Sequence, residues 1–107
     1  MNYTFSASLA SEIALPEKGI LRNVVHKEEY VNITAFGFAA GQELSAHSAP
    51  KPAALYFLEG EAEVRLGDDT VSVRAGSFVY MPPMLTHGIS AKSPMKMLLI
   101  QIKAGAN

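Results

Sequence analysis

The chain has 107 residues, which suffice for one compact domain but not for two, and 49% of them are hydrophobic. Nine basic and ten acidic residues give a formal net charge of -1 without a basic run, so nucleic acid is not expected as a partner. The lack of cysteine excludes disulfides, thiolate metal sites and a cysteine nucleophile, and it fits the cytoplasmic location that we expect. The apolar runs are far shorter than the roughly 20 residues of a membrane span, so no membrane partner is expected.

The first 18 residues are weakly patterned. A short helix or an extended arm is compatible with residues 8–15, and Pro16 would end such a helix because its ring clashes with the preceding turn. We predict an N-terminal arm over residues 1–18 and a single barrel domain over residues 19–107.

From Gly19 onward, short segments rich in β-branched and aromatic residues alternate with turn residues. The predicted strands cover residues 20–26, 31–38, 43–49, 54–58, 61–66, 71–74, 77–81, 86–91 and 94–103. About nine short strands with regular turn signals are typical of an all-β sandwich or barrel.

Two motifs support a narrower assignment. The first has Gly41, five residues, His47, and then Gly60 at its closing position. The second has Gly76, five residues, Pro82, and then a histidine at position 87. In this spacing the chain resembles the cupin family over roughly residues 36–97. The resemblance implies a double-stranded β-helix, or jelly-roll barrel, and a homodimer.

The chain departs from the family at the metal ligands. Metal-binding cupins use two histidines and a glutamate of the first motif and the histidine of the second. Here the second histidine falls on Ala49 and the glutamate on Ala53, or on Ala54 with the longer gap, so that His47 and His87 remain. Two neutral imidazoles do not compensate the charge of a buried divalent cation. We predict no firm cofactor, with a divalent transition metal on these two histidines as the alternative.

A cavity is expected whether or not a metal binds. If Ala53 faces inward, the period of two in a strand places Leu55 and Phe57 inward as well. An apolar cavity with two imidazoles suits a small, partly apolar ligand that is anionic or carries a carbonyl group. The predicted ligand-binding residues are His47, His87, Phe57, Met84 and Gln101.

Three functional hypotheses follow, and the sequence leaves open whether the protein is an enzyme. The first is a binding module without a strong metal. The second is a metal-dependent enzyme of the dioxygenase or isomerase type, in which His47 and His87 hold the ion. In a regular strand, Glu43 would share the inward face of His47 and could add a ligand. The third, metal-free acid–base catalysis, ranks last because no nearby carboxylate would orient an imidazole.

If Leu55 and Phe57 face inward, Ala54, Tyr56 and Leu58 form an apolar stripe on the outside of the barrel. Such a stripe predicts a partner surface, in agreement with a homodimer. The rival hypothesis is that residues 1–18 fold over the stripe.

Overall fold

The computed structural model describes residues 2–103, so Met1 of the predicted arm and residues 104–107 of the predicted barrel lie outside the described residues. Within this range there are one short helix and nine strands: α1 (Leu9–Glu12), β1 (Ile20–Lys27), β2 (Val31–Phe38), β3 (Glu43–His47), β4 (Ala53–Glu59), β5 (Glu61–Leu66), β6 (Asp69–Arg74), β7 (Phe78–Met81), β8 (His87–Ala91) and β9 (Met95–Ile102). None of the helical structure in residues 2–103 is long and apolar enough to cross a membrane.

The strands form two antiparallel sheets, one with the order β1-β2-β9-β4-β7 and the other with the order β3-β8-β5-β6. Strands that are distant in sequence are neighbours in space, since β9 lies between β2 and β4, and β8 lies between β3 and β5. Two packed antiparallel sheets with these crossovers form a jelly roll. The structure therefore confirms the prediction of an all-β, double-stranded β-helix barrel.

The core lies between the two sheets and is built from alternate residues of the strands. In the five-stranded sheet, Met97 of β9 lies between Phe36 of β2 and Phe57 of β4 in the strand register. Val64 of β5 and Ile89 of β8 are paired across the other sheet and face them. These side chains are buried, and each contributes roughly 1.5–3 kcal/mol of hydrophobic stabilisation relative to an exposed one.

The N-terminal segment packs on the outside of the five-stranded sheet. A side chain at Gly37 of β2 would collide with the backbone of Ala14, so glycine allows this close approach. Lys96 of β9 is only 8% exposed, and its Nζ donates a hydrogen bond of 2.6 Å to the carbonyl oxygen of Ala10. The N-terminal segment therefore covers the outer face of the sheet around Gly37 of β2 and Lys96 of β9.

The outer faces of β4 and β7 stay open. Tyr56 lies opposite Phe78, and Ala54 lies opposite Tyr80, so these four residues share the outer face. Phe78 is 62% exposed and Tyr80 is 59% exposed. The predicted apolar stripe thus continues onto β7, and Leu58 at its end is half-buried.

Candidate functional site

An irregularity in β3 turns His47, which remains exposed, toward the cavity of the barrel. Leu44 pairs with Ile89 and His47 pairs with His87, so a step of three residues on β3 matches a step of two on β8. One extra residue in a strand is a β-bulge, and it reverses the alternation of side chains beyond it. Leu44 and His47 consequently face the same interior.

The bulge also decides the position of Glu43. This residue pairs with Ser90, is exposed, and lines a shallow surface groove on the outside of the four-stranded sheet. The hypothesis that Glu43 shares the inward face of His47 assumed a regular strand, and the bulge between them makes it wrong.

The two imidazoles face each other across the β3–β8 pair. The centroids of the His47 and His87 rings are 4.4 Å apart, and the ring planes are inclined by 56°. Nδ1 of His47 donates a hydrogen bond of 2.9 Å to the carbonyl oxygen of Ser45, and Nδ1 of His87 donates one of 2.9 Å to that of Leu85. Because a carbonyl oxygen only accepts, each Nδ1 carries a proton, and Nε2 of each neutral ring carries the lone pair.

Two adjoining spaces form one cavity around these rings. The space lined by Ala49, Lys51 and Lys103 measures about 240 Å³, and the space lined by Arg22 and Phe36 measures about 190 Å³. We call them the mouth half and the inner half. They share five lining residues, His47, Met81, His87, Leu99 and Gln101. The inner half is walled further by Phe36, Leu55 and Met97, so its surface is largely apolar.

The cavity carries positive charge. Arg22 lines the inner half, and its guanidinium carbon lies 5.4 Å from the centre of the Phe36 ring. Lys51 and Lys103 line the mouth half, and Nζ of Lys51 donates a hydrogen bond to the carbonyl oxygen of Lys103. Among residues 2–103, no aspartate or glutamate lines either half. An anionic ligand is therefore favoured over a cationic one.

The structure brings together three of the five residues predicted to bind a ligand. His47, His87 and Gln101 line both halves of the cavity. Phe57 is 1% exposed and packs in the core beyond the cavity wall. Met84 lies in the loop before β8, is 62% exposed, and lines neither half.

The positions of the missing family ligands lie in the mouth half. Ala49 and Ala53 both line it, together with the two histidines. Ala54 pairs with Tyr80 on the outer face, so the shorter gap of the first motif gives the inward position. Two methyl groups thus occupy the places where the resemblance predicts an imidazole and a carboxylate.

A metal site of the family type does not fit these residues. Within residues 2–103, no three His, Cys, Asp or Glu side chains are grouped closely enough to bind an ion. His47 and His87 offer two neutral nitrogens, whereas protein metal sites usually use three or more ligands and balance the charge with carboxylates or thiolates.

Sequence reasoning missed Asn32. Its Oδ1 atom is buried and has no hydrogen-bond partner within the described residues, and the side chain lines the mouth half. Asn32 lies opposite Gln101 in the β2–β9 register. Asn32 lies four residues before Phe36, so the alternation of side chains along β2 places both on the inward face. This alternation could have identified Asn32 from the sequence.

The comparisons with known proteins agree with this architecture. Residues 35–101 match the family model of the cupin domain, which is more than half of the chain, and the chain therefore belongs to the cupin family. None of the curated proteins matches the sequence significantly.

Solved structures of several proteins superpose on almost the whole chain. A conserved protein of unknown function from Streptococcus pyogenes has 27% identity and a TM-score of 0.87, with 99% of this chain and 93% of that one covered. A cupin superfamily protein from Desulfitobacterium hafniense has 25% identity and a TM-score of 0.87, with coverage of 97% and 95%. An RmlC-like cupin from Desulfovibrio desulfuricans has 29% identity and a TM-score of 0.82, with coverage of 94% and 98%.

Proposed function

We propose that this cupin binds a small, partly apolar anion in the barrel cavity and does so without a high-affinity metal. The observation that carries the proposal is the composition of the cavity. Its walls are largely apolar, and two imidazoles lie where its halves meet. Among residues 2–103, the charged side chains that line it are those of Arg22, Lys51 and Lys103.

The chemistry of the lining suggests how such a ligand is held. An apolar chain or ring in the inner half gains about 0.8 kcal/mol for each methylene group removed from water. A carboxylate is attracted by Arg22, which is exposed on β1 and lines the inner half, or by the lysines of the mouth half. The imidazoles of His47 and His87 accept a hydrogen bond when neutral and donate from Nε2 when protonated, so they suit hydroxyl, carbonyl and carboxylate groups.

Two small acids and their amides test this function. Hexanoate and benzoate, titrated into the untagged protein, are expected to raise its melting temperature, whereas hexanamide and benzamide raise it less because they lack the charge. His47→Ala should remove most of the shift. His26→Ala is the matched control, because His26 lies on β1 and lines neither half of the cavity. If neither acid changes the melting temperature, the proposal is wrong.

One observation favours the metal-dependent alternative. Histidines that bind metals usually donate their second ring nitrogen to a carbonyl or carboxylate, and both rings here do so through Nδ1. His47 and His87 would then hold a divalent transition metal, which would supply Lewis-acid chemistry in an enzyme of the dioxygenase or isomerase type.

Elemental analysis separates the two hypotheses. The untagged protein is purified without added metal or chelator, and its metal content is measured beside that of His47→Ala. We expect little metal in both. Near-stoichiometric metal in the wild type that is lost in the variant would favour the enzyme.

We also propose that two copies of the chain associate through the outer face of β4 and β7. Ala54, Tyr56, Phe78 and Tyr80 form an uncharged, partly aromatic surface there. In a two-fold symmetric dimer the same patch contacts itself, so a patch without charge avoids like-charge repulsion. The arm packs elsewhere on the sheet and leaves this patch accessible.

A further inference from the structure

We propose that Asn32 determines specificity by selecting ligands that carry a hydroxyl group at the end held in the mouth half. This inference rests on the proposed binding function. It names a ligand class, small hydroxylated carboxylates, and it assigns a role to a residue outside both motifs.

Asn32 belongs to a row of three residues at the mouth, of which Asn32 and Gln101 are polar. Gln101 of β9 pairs with Asn32 of β2 on one side and with Ala53 of β4 on the other. All three residues line the mouth half, and Gln101 also reaches the inner half. A ligand whose carboxylate lies near Arg22 in the inner half would therefore extend its opposite end toward this row.

The carbonyl oxygen of the Asn32 side chain lacks a partner in the part of the chain that the structure describes, although the atom is buried. A buried acceptor without a donor destabilises the folded protein, and buried polar groups are normally satisfied. An apolar side chain at this inward position would avoid that cost. An asparagine is favourable there if a donor arrives with the ligand, and a hydroxyl group supplies one.

The test compares benzoate with its para-hydroxy derivative by calorimetric titration. One hydrogen bond from the ligand hydroxyl to the previously unpaired Oδ1 of Asn32 should make the dissociation constant of the hydroxylated acid about tenfold lower. In Asn32→Leu this ratio should fall to about one, because the acceptor is gone. In Asn32→Asp, which keeps an acceptor oxygen, the ratio should persist although the added charge weakens the binding of both acids. Asn23→Leu is the control, since Asn23 lies on β1 outside the cavity lining.

A second readout separates this role from a structural one. Ligand-free Asn32→Leu should melt at a higher temperature than the wild type, because the unsatisfied acceptor has been removed. A lower melting temperature together with an unchanged ratio would mean that Asn32 serves the fold, and would overturn the inference. Equal binding of the two acids by the wild type would overturn the inference alone. Failure of both acids to bind would overturn the proposed function, and the inference with it.

Discussion

Leu44 and His47 line the same cavity although they are three positions apart on one strand, an arrangement that a regular strand forbids. The bulge between them is accommodated by Gly88 on β8. A side chain there would lie 3.2 Å from the Cα and backbone nitrogen of Ala46 and 3.2 Å from the carbonyl oxygen of Leu44. The glycine thus gives the bulged backbone room to approach.

Gly88→Ala should therefore destabilise the protein and displace His47. Forcing a methyl group into this space costs about 1–3 kcal/mol in the free energy of unfolding, which a urea titration measures. We also expect the side-chain NMR signals of both cavity imidazoles to shift. Ser90→Ala on the same strand is the control, since Ser90 faces the outer groove. A variant with wild-type stability and unchanged imidazole signals would contradict the role assigned to the glycine.

The bulge also shows where prediction from the sequence ends. Strand positions and the inward face of β4 follow from alternation, and the motif spacing correctly placed His47 and His87 together. The extra residue between Leu44 and His47 carries no comparable signature, because neither Ser45 nor Ala46 is a glycine of the kind that often marks a bulge. For this reason the condition for an inward Glu43, a regular strand, is not met, and β3 ends at His47, two residues earlier than predicted.

Asn32 escaped prediction for a related reason. An asparagine in a strand is usually a solvent-facing residue, and its burial here depends on neighbours that are distant in sequence. Gln101 lies 69 positions later in the chain but directly opposite in the sheet. Such cross-strand proximity arises from the topology, which local patterns do not contain.

Met84 adopts a left-handed backbone conformation, with φ of 70°, a region that glycine enters without strain. This conformation costs roughly 1–2 kcal/mol for a residue with a side chain. Glycine removes that cost, but it makes the unfolded chain more flexible, which destabilises the folded state by roughly 0.5–1 kcal/mol. Met84→Gly should therefore raise the free energy of unfolding by about 0.5–1 kcal/mol in a urea titration.

Met84→Ala is the matched control, because it removes the exposed side chain and keeps the strained backbone; it should leave stability nearly unchanged. Equal effects of the two substitutions would show that the side chain, and not the backbone angle, matters. The backbone N–H of Met84 donates to the carbonyl oxygen of Ala49 at 2.7 Å, so the loop conformation should persist in both variants.

Lys96 fastens the N-terminal segment. Its Nζ contacts the Ala10 carbonyl oxygen and lies 3.5 Å from Oε2 of Glu59. Lys96→Met keeps the apolar stem but leaves that carbonyl without its donor, at a cost of about 1–3 kcal/mol. We expect thermolysin to cleave before Leu9 faster in this variant. Lys92→Met should change little, because Lys92 is exposed and pairs with Glu63 instead. Unchanged cleavage in Lys96→Met would contradict the anchoring role.

The proposed dimer predicts that Tyr80→Lys is monomeric. A lysine in the patch would be buried twice in a symmetric contact, and burying an unpaired charge costs several kcal/mol. Light scattering coupled to size exclusion should give a dimer mass for the wild type and a monomer mass for the variant. Tyr30→Lys is the control, since Tyr30 is also 59% exposed but lies in the turn between β1 and β2. A monomeric wild type would refute the dimer.

The cavity geometry finally predicts that a metal site can be restored. Ala49 and Ala53 line the mouth half together with His47 and His87, so Ala49→His combined with Ala53→Glu should complete a set of three imidazoles and one carboxylate. We expect this double variant to bind Co²⁺ stoichiometrically, as visible absorption would show, while the wild type binds it weakly. Adding His87→Ala should weaken binding again. Tight binding would mean that two methyl groups account for the chain's departure from metal-binding cupins. Weak binding by the double variant would instead mean that the backbone holds residues 49 and 53 too far from the two imidazoles to complete a metal site.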